Sequence, residues 1–198
     1  HLVRAGAGLF ADWNYAIDVE RGFGETLQYV KLGWLVVILP LLAVRLRSGQ
    51  FACWAVIALV LLYDDMFSAR ERYGQVLALA QGWEGAFGIR GQDLGEFVFI
   101  GLYGVVVLAC AALAYRYSRG GDRRFWWEMG VLLVALVGFG IVVDMIHVLV
   151  IGQEPWDLLL ATIEDGGEMV VASLMVRLTF ERWDRTDQPL AGAARSQA

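Results

Sequence analysis

Two cysteines, two histidines, three prolines and a single lysine, Lys31, are all that these 198 residues contain of those four types. Cys53 and Cys110 each lie inside a hydrophobic run, so neither a disulfide framework nor a zinc knuckle can be built from them. The remaining basic residues are arginines and form no stripe that would follow a phosphate backbone, which argues against nucleic acid as a partner. No Ser-His-Asp set, phosphate loop or dinucleotide fingerprint occurs, and the first thirty residues lack the pattern of a signal peptide. Charge is scarce as well: 19% of residues are charged, where a soluble domain carries about a quarter.

What fills the chain instead is apolar. Hydrophobic residues make up 58%, the mean hydropathy is +0.54, and the net charge is −5. The excess sits in runs of roughly 18 to 25 residues, the length that crosses a hydrocarbon core. The expected fold is an all-α polytopic transmembrane helical bundle with five spanning helices, at about 26–44, 51–67, 96–117, 125–151 and 156–180. Residues 68–95 read as a long loop punctuated by Gly82, Gly85, Gly88, Gly91 and Gly95. Pro155 is a natural opener for the last helix. A single domain of residues 1–183 is expected, with 184–198 a small polar tail lacking fixed structure. The abrupt opening at His1-Leu2-Val3 leaves room for a sixth helix before residue 1.

The arginines give an orientation. Arg45 and Arg47 follow the first run, Arg116, Arg119, Arg123 and Arg124 surround the link after the third, and Arg177, Arg182 and Arg185 close the last. The long 68–95 segment holds only Arg70, Arg72 and Arg90, and the link after the fourth run holds none. The positive-inside rule then sets the C-terminus in the cytoplasm and the 68–95 segment outside. The expected location is a bacterial inner membrane, with the lipid bilayer as the first partner and a membrane-protein partner or a second copy as the next.

On that topology the acids gather at the outward level. Asp64 and Asp65 stand about 20 Å along the second helix, at roughly 1.5 Å per residue. Glu96 opens the third, Asp144 and His147 lie in the outward part of the fourth, and in the fifth Glu164 and Asp165 lie about 12 Å from the outward end with Glu168 near the midplane. Glu25, Gln28 and Lys31 cap the first helix on the same side. Asp144 and His147 are i,i+3 and Glu164 and Glu168 are i,i+4, so each pair shares a helix face, and Asp64 would share one with Glu71 if the second helix continued. A charge at mid-bilayer costs at least about 2.5 kcal/mol on insertion scales, so such residues face the protein interior and serve a function. Each group also has a plainer role available, as a hydrogen-bonded structural pair or a solvated rim. Three carboxylates within Glu164–Glu168 resist that account best.

Carboxylates around one imidazole form a hard-to-borderline ligand set for calcium, magnesium, manganese, iron or zinc. A divalent cation also answers the repulsion among acids that cannot all ionise in a low dielectric. Protonated carboxylates in a relay, or Arg70 and Arg72 folded over the site, would answer it without metal. Asp64, Asp65, Asp144, His147, Glu164, Asp165 and Glu168 are the expected ligands or their immediate supports. Copper lacks a thiolate and a second intramembrane imidazole, and a di-iron centre lacks a second Glu-x-x-His copy.

The series Glu25-x-x-Gln28-x-x-Lys31, Asp64-Asp65 with Glu71, Asp144-x-x-His147 and Glu164-Asp165-Gly166-Gly167-Glu168 resembles one found in uncharacterised bacterial multi-pass membrane proteins. The resemblance covers most of the chain and implies a shared site, with no activity attached. That group is expected to carry a histidine before the glutamate that follows the Asp-Asp pair; here the position is Arg70. Three function classes stay open on the residues: a metal-binding membrane protein, including a metal-dependent enzyme at the outer face; a proton or cation pathway through Glu164 and Glu168; and a non-catalytic subunit of a larger membrane complex.

Overall fold

The computed structural model describes residues 22–85, 90–120, 122–143, 146 and 156–195. Among them the chain is all-α and without strands, as its composition predicts. The helices are α1 (Phe23–Leu46), α2 (Gly49–Phe67), α3 (Ala69–Gln81), α4 (Gly91–Tyr117), α5 (Asp122–Val137), continued by a π-helical segment Gly138–Val143, and α6 (Trp156–Arg195). Phe23–Leu46, Gly49–Phe67, Gly91–Tyr117 and Asp122–Val143 are long and apolar enough to cross a membrane. The polytopic reading therefore stands. The fifth predicted span is the first part of α6, where Glu164, Asp165, Glu168 and Arg177 give it more charge than those four helices tolerate in their apolar stretches.

Contacts sort the described residues into two compact units, Leu39–Gly120 and the residues on either side of it, where the sequence suggests one domain. In the central unit, α4 packs against both α2 and α3. The long loop expected over 68–95 is corrected by α3, which fills its first half. The chain turns at Ser68 in the left-handed region (φ 46°), so α2 stops at Phe67 and does not carry on to put Glu71 on the face of Asp64. Gly82, at φ 65°, then ends α3 in the conformation glycine adopts most cheaply. At Gly74 and Gly95 the two helices touch backbone to backbone: a Cβ on Gly95 would stand 2.7 Å from the carbonyl carbon of Gly74. The Tyr73 ring stacks on Phe99 at 5.1 Å beside that crossing.

Helix α4 begins at Gly91, five residues earlier than its hydrophobic run. Arg90 and Asp93 close the N-terminus reciprocally, the Arg90 amide donating to Asp93 Oδ2 at 3.0 Å. Glu96 therefore lies inside the helix and does not open it; its Oε1 accepts a bond from Gln92 Nε2 at 2.9 Å.

In the other unit, α5 buries Phe125, Met129, Leu133 and Leu136, a stripe at helical spacing, and packs along α6, which buries Val171, Ala172, Met175 and Thr179. Asp122 and Arg182 form an ion pair at one end of these helices, and Gly140 meets Glu168 further along, so α5 and α6 run antiparallel. On α1, Lys31 reaches Met169 and Trp34 packs edge-on against Phe180 at 5.9 Å, so α1 and α6 run in the same direction. Helix α6 continues to Arg195, where the sequence suggests loss of regular structure from Asp184.

Candidate functional site

The seven expected ligands fall into three sets. Asp64 and Asp65 belong to the central unit, Glu164, Asp165 and Glu168 to the other, and Asp144 and His147 lie outside the described residues. Among the described residues, no three His, Cys, Asp or Glu side chains are placed to share a metal ion.

Asp64 has structural work. Its Oδ1 accepts the amide of Arg70 at 2.9 Å, so a carboxylate from the last turn of α2 caps the start of α3 across the turn at Ser68. The Ser68 side chain makes no capping bond of its own. A carboxylate there also meets the positive end of the helix dipole. Asp65, on the adjacent position, is half-buried with Oδ2 sealed from solvent.

The α6 acids are the better site. Glu164, Asp165 and Glu168 are all half-buried on one stretch of helix, beside two consecutive glycines. Glu168 lays Oε1 directly over Gly140, in the π-helical segment, and Gly167 takes the ring of Phe139, whose Cγ would lie 2.7 Å from a Cβ there. Each side contributes a glycine where the other contributes a large side chain, which lets the two backbones approach closely. A π-helical turn inside an α-helix is frequent at functional sites. In sequence, Asp144 comes directly after this segment.

Helix α1 borders the same stretch. Lys31 donates from Nζ to the Met169 carbonyl oxygen at 3.0 Å, an acceptor it shares with Ser173 Oγ at 2.8 Å. Among the described residues it forms no ion pair. An open groove of about 360 Å³ lies beside it, lined by Lys31, Met169, Val170, Ser173, Leu174 and Arg177. One turn before Lys31, Gln28 is buried, and its Oε1 has no hydrogen-bond partner among the described residues.

A family model for a domain of unknown function, DUF8692, matches residues 3–182. The chain belongs to the DUF8692 family. No curated protein and no solved structure matches it. The match takes in every helix of both units but for the last turns of α6, so for DUF8692 the acids, the π-helical segment and Lys31 fall within one family domain.

Sequence reasoning missed two features of this site. The capping role of Asp64 depends on the turn at Ser68, which has no strong signal in Phe-Ser-Ala. The π-helical segment carries a partial one, the glycines of Gly138-Phe139-Gly140 within a span.

Proposed function

We propose that this protein is an integral membrane protein that holds a divalent cation at an outward-facing carboxylate site on α6. Glu164, Asp165 and Glu168 are its acidic ligands or their immediate supports, since no three of the described acids are placed to share one ion, and Asp144 and His147, which lie outside the described residues, are the further carboxylate and the imidazole of the proposal. Asp64 is left to its capping role. The arginine distribution along the chain supports the outward orientation.

One observation carries the reading. Three carboxylates, Glu164, Asp165 and Glu168, sit half-buried within five residues of α6, the helix that borders the apolar α1 at Lys31. Each intramembrane acid costs about 2.5–3.5 kcal/mol on insertion scales, and three together also repel one another. A bound cation offsets both costs, and carboxylates with an imidazole suit a hard or borderline ion. A metal-dependent reaction at the membrane face is one use such a site could serve.

The test is metal content and stability together. Glu164→Gln and Glu168→Gln proteins, purified in mild detergent without chelator, should hold less divalent metal than wild type and lose the stabilisation that metal confers. A cation pathway predicts something else: flux in liposomes under an imposed potential that disappears in Glu168→Gln. Beyond Glu168, residues Met169–Met175 offer only Ser173 as a polar side chain, a dry barrier of about 10 Å at 1.5 Å per residue. Robust flux of that kind would replace the closed-site reading with transport.

A further inference from the structure

We infer that Cys53 of α2 and Cys110 of α4 form a redox-active dithiol, which a two-electron oxidant closes into a disulfide that straps the two helices together. The inference goes beyond the cation reading and does not depend on it. Both thiols are free and half-buried, and both belong to the central unit, where α2 packs on α4. Two contacts bracket them. At one end, a Cβ on Gly49 would meet the Tyr117 ring at 3.0 Å. Toward the other, the Tyr63 hydroxyl lies 3.1 Å from that of Tyr73, whose ring stacks on Phe99. The helices are therefore antiparallel, with Gly49 level with Tyr117 and Tyr63 near the level of Phe99. Even spacing between those contacts sets Cys53 opposite about position 112 of α4, which is about 3 Å along the axis from Cys110 at 1.5 Å per residue.

Each cysteine also lies on the buried stripe of its helix. Cys53 comes three residues after Gln50 and four before Ile57, and Cys110 three after Val107 and four before Ala114, all four of them buried. The two thiols are close enough to act on one another electrostatically. Packed helix axes lie about 8–10 Å apart and each Cα stands about 2.3 Å from its own axis, so facing Cα atoms approach to about 3.5–5.5 Å. With about 3 Å of axial offset the separation stays within the roughly 4.4–6.8 Å that a disulfide spans. Closing it breaks both S–H bonds and forms one S–S bond. Two electrons and two protons pass to the oxidant, either a quinone in the bilayer, reduced to the hydroquinone, or a diazene in vitro, reduced to the hydrazine. The product carries no charge, which suits apolar surroundings. Two cysteines make no disulfide framework, but this register makes a single reversible bridge.

The probe is diamide, a diazene, added to the reduced full chain in mild detergent. The readouts are intact mass, free thiols counted after unfolding, and thermal melting. Wild-type monomer should become two hydrogens lighter and lose both thiols, and dithiothreitol should restore them. The oxidised form should melt higher than the reduced one, because the bridge constrains the unfolded chain. Cys53→Ala should keep its remaining thiol and show no diamide-dependent shift in melting. The control moves the second thiol across α4: Leu108 is 70% exposed and stands on the opposite side of the helix from Cys110. A Cys110→Ala, Leu108→Cys protein should form no intramolecular bridge. Wild-type thiols that survive diamide, or that join only between chains, overturn the inference. So does a control that bridges as fully as wild type, since the register would then not select the pair. A wild-type bridge that lowers the melting temperature overturns it as well, because the helices would have to leave their packing to form it.

Discussion

Replacing Gly140 by alanine should damage the α6 site without damaging the fold. The new methyl would stand too close to Glu168 Oε1, while Glu168 Cδ, at 3.5 Å, could stay where it is. To recover ordinary van der Waals separation the oxygen must swing away by about 1 Å. Metal–ligand distances are held to within about 0.2 Å, so a displacement of that size removes the ligand. Loss or misplacement of one such group lowers metal affinity by about 10- to 100-fold. Stability should move the other way, because alanine in a helix interior is favoured over glycine by about 0.5–1 kcal/mol. Gly138 supplies the control: it lies in the same π-helical segment, and a Cβ there meets no described atom within 4 Å. Gly138→Ala should share the backbone effect and keep wild-type affinity. The assay is divalent-metal titration beside thermal unfolding in detergent for both variants. Equal affinities in Gly138→Ala and Gly140→Ala would refute the claim that Glu168 ligates from its seat on Gly140.

The same geometry sets other outcomes. Gly95→Ala should destabilise the protein by about 1–3 kcal/mol through overpacking against Gly74, whereas Gly101→Ala, on the same helix with open space, should be neutral or stabilising by up to about 1 kcal/mol in the same melts. Asp64→Ala should cost about 0.5–2 kcal/mol by uncapping α3, and Asp64→Asn should recover most of that loss, since asparagine caps nearly as well. Loss of metal in Asp64→Asn with stability unchanged would return Asp64 to the ligand set. In a background without Cys53 and Cys110, a cysteine at Gly82 should react with an impermeant thiol reagent in intact cells, and one at Gly120 should not. The reverse pattern would turn the site toward the cytoplasm.

The spans were the most legible part of this chain, because a bilayer demands length and apolarity and little else. The four described helices long and apolar enough to cross a membrane begin within five residues of the positions their hydropathy marks, and the early start of α4 traces to Arg90 and Asp93, polar residues that hydropathy counts against a helix. Helix α3 was hidden for the opposite reason. Its sequence, Ala-Arg-Glu-Arg-Tyr-Gly-Gln, is polar at the start and sits among glycines that read as breaks, yet its cap comes from Asp64 and its packing from Gly74 against Gly95. The π-helical segment Gly138–Val143 could not be read as such, since its widened turn is paired with the contacts of Phe139 with Gly167 and of Gly140 with Glu168, and those are tertiary. Of the site, the half-buried acids of α6 were legible because charge in a span is costly. The position of Lys31 on a carbonyl of α6 required the register between α1 and α6.

Elemental analysis of the wild-type protein, purified in mild detergent without chelator, tests the central claim most directly. A divalent cation site formed around Glu164, Asp165 and Glu168 predicts close to one equivalent of divalent metal per chain. Stripping that metal with a chelator should lower the melting temperature, and adding it back should restore it. Protein that carries no metal as purified, and whose melting is unmoved by chelator or by added divalent ions, would contradict the account.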